Sequence, residues 1–112
     1  MGNGEKIVNL ENEVIDALHA AKKHINDIKF VSVGCLRIPT VTFLINAGSI
    51  NYVNDYGARE EINFTLKIVF RDGSWLERGE SDGRGWFRYM STPVEPSETA
   101  PDDMIKSLLI MD

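Results

Sequence analysis

The sequence predicts an α+β domain, in which an antiparallel sheet of about five strands is joined by a long N-terminal helix and a short C-terminal helix. Three observations carry this. Apolar side chains from about Glu5 to Ile28 recur at spacings of three and four. From Lys29 onward the period drops to two. Two Asp-Gly pairs, Asp72-Gly73 and Asp82-Gly83, then punctuate the last alternating stretch as hairpin turns.

At 112 residues, with 43% hydrophobic and 26% charged side chains, the chain has an ordinary globular composition, and one domain spanning 1–112 around a single core is expected. A net charge of −5 argues against a general phosphate-binding surface, since non-specific nucleic-acid affinity comes from clustered Lys and Arg. Nucleic acid is therefore not an expected partner, although a local basic patch is compatible with an acidic whole. Cys35 is the only cysteine, which excludes an internal disulfide and a multi-cysteine metal site and fits a reducing cytoplasm. The opening MGNGEKIVNLENEV lacks the apolar core of a signal peptide, and no run nears the roughly 18 apolar residues of a membrane span. A cytoplasmic protein without a membrane segment is expected.

Ile7, Leu10, Val14, Leu18, Ala21, Ile25 and Ile28 lie along one helical stripe, which predicts a first helix of about 24 residues. Val31, Val33 and Cys35, then Val41, Phe43 and Ile45, alternate with small polar residues and predict two strands joined near Arg37-Ile38-Pro39. After the loop AGSINYVNDYGAREE, the alternation of Ile62, Phe64, Leu66, Ile68 and Phe70 predicts a strand wet on one face. Asp72-Gly73 leads it into Ser74 to Arg78, and Asp82-Gly83 leads that strand into Trp86 to Met90. A two-residue first turn would pair Phe70 with Trp75; a bulge or longer loop is the alternative. Beyond a Pro93 and Pro96 linker, Thr99 as cap, Pro101, and Asp102 and Asp103 in the first turn predict a last helix with Met104, Ile105, Leu108 and Leu109 on its apolar stripe.

Few residues point to chemistry. His19 and His24 are five apart, which does not place two imidazoles on one helical face, so no metal or other cofactor is expected. Cys35 reads as a small hydrophobe on a strand face, with no base near it. Asp55, Glu60 and Glu61, in or just after the longest loop, are carboxylates of a type that an acid-base pair would use, but their spacing matches no calcium loop. A surface is the better candidate. Trp75, Trp86, Phe87 and Tyr89 intermix with Arg78, Arg84 and Arg88, and Trp, Tyr and Arg dominate interface hot spots. Alternation along Trp86 to Met90 puts Trp86 and Arg88 on one face and Phe87 and Tyr89 on the other.

The same stretch, DGSWLERGESDGRGWFRYMSTP, resembles the hairpin of small uncharacterised proteins of mobile elements, such as phage or gene-cassette products. The resemblance spans about one fifth of the chain and carries no activity to any residue. It implies a compact accessory protein that acts by binding.

The resulting expectation is a non-enzymatic protein-binding or regulatory module, homodimeric, with Trp75, Arg78, Trp86 and Arg88 as contact residues for a protein partner. The alternative is a small-ligand protein or small enzyme with a pocket between the sheet and the first helix, served by the loop carboxylates.

Overall fold

The computed structural model describes residues 6–99 and Leu108. Within them the chain runs β1 (Ile7–Asn9), α1 (Leu10–Ala20), a 3-10 turn (Ile25–Asp27), β2 (Ile28–Val33), β3 (Leu36–Ile38), α2 (Thr40–Ala47), β4 (Asn51–Val53), β5 (Lys67–Phe70), β6 (Trp75–Ser81) and β7 (Arg84–Met90). The fold is α+β. Five antiparallel strands form the main sheet in the order β3-β2-β5-β6-β7, and β1 pairs with β4 in a two-stranded ribbon beside it. Leu10, Val14 and Leu18 of α1 and Phe43 and Ala47 of α2 share one core with Ile28, Val31, Ile68, Phe70 and Leu76 of the sheet. Both helices therefore cover the same face. The expected C-terminal helix falls, apart from Leu108, outside the described residues.

The first helix is 11 residues long, not 24. It starts where Asn9 Oδ1 accepts the Asn12 N–H at 3.1 Å, with Glu11 and Glu13 complementing the positive end of the dipole. It stops in a Schellman motif: the Lys23 N–H bonds the Leu18 carbonyl at 2.8 Å and the Lys22 N–H bonds the His19 carbonyl at 3.0 Å. Lys22 takes the left-handed position there, at φ 57°, which glycine usually fills. The apolar stripe continues past this stop only by coincidence, for Ile28 is buried from a strand.

Three further expectations are corrected. Thr40 to Ala47 is a helix rather than a strand, because Phe43 and Ala47 are buried one turn apart and Pro39 precedes the first helical residue, where its missing N–H costs nothing. β-branching lowers helix propensity by only a few tenths of a kcal/mol per residue, roughly, so packing decides. Cys35 is exposed in the turn between β2 and β3, beside Gly34 at φ 60°. The strand expected from Ile62 begins only at Lys67, since Asn63 Oδ1 accepts both the Thr65 N–H, at 2.9 Å, and the Thr65 hydroxyl, at 2.7 Å, and this local turn displaces strand pairing.

The two Asp-Gly turns differ. Asp82 and Gly83 both have positive φ, 50° and 88°, and close a two-residue turn with Ser81 opposite Arg84. At the first, only Gly73 is positive, and the loop takes three residues. Phe70 N–H bonds Ser74 C=O at 2.8 Å, so Trp75 stands opposite Val69, not Phe70. Asp72 accepts from Ser74 and pairs with Lys23; the lysine first, then the serine, holds its carboxyl well below the usual range.

Candidate functional site

The registers settle which side chains share the face that the helices leave open. Pairing Arg37 with Ser32, Ser32 with Lys67, Lys67 with Glu77 and Glu77 with Arg88 lays one polar row across all five strands. Beside it, Phe30 opposite Val69, Val69 opposite Trp75 and Trp75 opposite Met90 lay an apolar row across four. Trp86, opposite Gly79, extends the face along the β6-β7 ribbon. A Cβ at Gly79 would stand 2.7 Å from Trp86 Nε1, so the glycine lets the indole close on the β6 backbone. Part of the face is concave, a depression of about 450 Å³ walled by Phe30, Lys67, Val69 and Trp75.

Charge on this face has the opposite sign to the chain. Glu77 accepts from Trp75 Nε1 at 2.7 Å and from Arg88 Nη2 at 2.7 Å, and the indole first, then the guanidinium, holds its carboxyl below the ordinary value. That carboxylate is already matched. Lys67 and Arg37 have no ion pair among the described residues, and Arg37 stacks on the Phe30 ring at 5.8 Å. Three cations and one neutralised anion thus border an aromatic surface on a protein of net charge −5.

Of the four expected contact residues, Trp75, Trp86 and Arg88 meet on this open face, and Arg78 does not. Arg78 points to the helix side and is only 6% exposed. Its Nη1 reaches Glu13 Oε2 at 2.8 Å and its Nη2 donates to Tyr52 Oη at 3.1 Å, with its guanidinium 4.7 Å from the Phe87 ring and 5.9 Å from that of Tyr52. Tyr52 in turn donates to Glu13. Burial and that donation raise the phenol's pKa well above its ordinary value, against the lowering effect of Arg78. This network ties α1, β4 and β6 together. Nearby, buried Asn54 gives an N–H to the Gly85 carbonyl at 2.9 Å and takes the Gly85 N–H at 2.7 Å, standing in for a neighbouring strand at the outer edge of β7. Glu13, Tyr52 and Asn54 escaped the sequence reading. Glu13 carried a weak signal, a carboxylate one turn from Leu10 and Ala17 at the border of the apolar stripe.

The other candidates are scattered. His24 caps the 3-10 turn, its Nδ1 accepting the Asn26 N–H at 3.2 Å, while His19 is exposed. Glu60 accepts the Ile62 N–H and Glu61 the Val53 N–H, each through one oxygen. Among the described residues no three His, Cys, Asp or Glu side chains gather as a metal site would require. A cavity of about 330 Å³ does exist, but it lies between α2, β2 and β3 and the 61–66 segment, and α1 contributes only Leu10 to it.

Among the described residues no helix is long and apolar enough to cross a membrane. Compared with known protein families, curated proteins and solved structures, the chain matches none.

Proposed function

We propose that the chain is a non-enzymatic binding module whose open sheet face docks an acidic, partly apolar segment of a partner protein. One observation carries the reading: a partly concave sheet face, covered by neither helix among the described residues, presents Phe30, Trp75 and Trp86 beside Arg37, Lys67 and Arg88 on an otherwise acidic protein. The tryptophans supply large contact area with few rotatable bonds, and the cations select against basic surfaces. Three dispersed cations, one of them already paired, fall short of the continuous basic track that single-stranded nucleic acid follows, which favours a protein. A cytoplasmic accessory role fits the mobile-element proteins that the ribbon resembles.

The homodimer is a separate part of the proposal. Val41 and Ile45, one turn apart on α2 and each 68% exposed, form an uncharged apolar strip that a second copy would cover.

The test is capture from a source-cell lysate by the native protein and by a Trp86→Ala, Arg88→Ala variant whose fold is verified by circular dichroism. Captured proteins are then scanned as overlapping peptides. The reading expects a partner lost with the variant whose binding peptide is acidic and weakens with salt. A captured set that the variant leaves unchanged would overturn it, as would a preference for oligonucleotides over every peptide.

A further inference from the structure

We infer that the cavity behind α2 is a binding site for a small amine with an apolar body, independent of the open sheet face. Its floor is built from buried Phe43, Ala47, Ile62 and Leu66, with Leu10 closing one side. These groups offer no hydrogen bonds, so the floor takes hydrocarbon. At about 330 Å³ the space exceeds the roughly 150 Å³ that suffices for benzene, leaving room for a ring and a short chain.

The exposed lining residues mark the mouth, and their chemistry sets the head group. Asn46, Asn51, Asn63 and Glu61 stand there, and among the described residues no Lys, Arg or His lines the cavity. Glu61 keeps only a long contact, 3.3 Å, from the Val53 N–H to its Oε2. A carboxylate among three carboxamides favours an ammonium group, and it repels a carboxylate ligand, with no cation among the described lining residues to compensate. The net charge of −5 acts in the same direction.

In the sequence only Glu61, a carboxylate at the end of the longest loop, marks this site, and the floor is hidden among segments whose residue types favour strands. Phe43 and Ala47 converge only because Thr40–Ala47 is helical, and Ile62 and Leu66 only because Asn63 bends the chain between them.

The experiment is an NMR titration of the full chain with three probes of matched apolar body: 2-phenylethylamine, 2-phenylethanol and 3-phenylpropionate. The amine is expected to bind with a Kd on the order of 1 mM, about tenfold tighter than the carboxylate, with shifts centred on Phe43, Ala47, Ile62 and Leu66. Glu61→Gln is expected to bring amine and alcohol within about twofold of each other, since only the charge term is lost. Ala47→Phe is expected to abolish binding of all three by filling the floor; if that variant does not fold, nuclear Overhauser contacts from probe to Phe43 and Ile62 in the native protein locate the site instead. No shifts at about 10 mM amine, equal affinity for the carboxylate, or contacts elsewhere on the chain would overturn the inference.

Discussion

Replacing Arg78 with Met separates scaffold from binding surface. The substitution keeps most of the aliphatic stem but removes the donors to Glu13 and Tyr52. The Arg78 side chain is 2% exposed and that of Glu13 only 16%, so the stranded carboxylate regains little water. Breaking one partner of a buried pair costs about 3–5 kcal/mol, and the residual access of Glu13 places this one near ~3 kcal/mol. A domain of this size has a total stability of roughly 6–17 kcal/mol, so the variant folds but melts about 12 °C lower. Urea denaturation followed by circular dichroism reads the loss directly. Pairing the change with Glu13→Leu should recover about 1 kcal/mol, because no charge is then stranded although the Tyr52 hydroxyl loses both partners. A loss under about 1 kcal/mol for Arg78→Met, or no recovery in the double variant, would refute the view that Arg78 is buried for structure.

Further outcomes follow from single features. Because the folded-state pKa of Tyr52 is raised above its unfolded value near 10, its contribution is complete below about pH 10 and is lost as pH climbs further. Urea midpoints from pH 8 to 11 should therefore fall more steeply for the native protein than for Tyr52→Phe; parallel slopes would contradict it. Gly73 and Gly83 share a positive φ, 91° and 88°, but a Cβ at Gly83 would meet Ala58 O at 1.9 Å while one at Gly73 meets nothing. Ala at Gly73 should cost about 1 kcal/mol, the strain alone, and Ala at Gly83 at least twice that by thermal denaturation. Ile45→Glu should convert a dimer to a monomer in light scattering and leave a melt that no longer depends on protein concentration, since Ile45 is exposed and outside the core.

Local chemistry explains which parts of this architecture were readable in advance. Alternation alone puts Trp86 and Arg88 on one face, but that Trp75 joins them depends on the two-residue Asp82-Gly83 turn, a register the sequence leaves open because a four- or five-residue loop would shift it by one. The length of α1 was not legible, because Lys22 occupies a left-handed cap that glycine normally signals. The identity of α2 was hidden for a different reason. Thr, Val and Ile favour strands, and the preference is outweighed by burial of Phe43 and Ala47 against residues far away in sequence. What Arg78 meets was hidden, because its partner Glu13 lies 65 residues away, beyond any periodicity. Its alternation with Trp75 and Glu77 already put it on the other face. Trp75, Trp86 and Arg88 share one face through the ribbon register.

The docking claim is tested most directly by in-cell photo-crosslinking from a benzoylphenylalanine placed at Met90 or Ser32 on the open face, with Asp16 on the exposed side of α1 as the comparison. The account predicts crosslinks to one acidic partner from Met90 and Ser32 and none from Asp16. Crosslinks from Asp16 alone, from no position, or only to this chain's own residues 100–112 would contradict it.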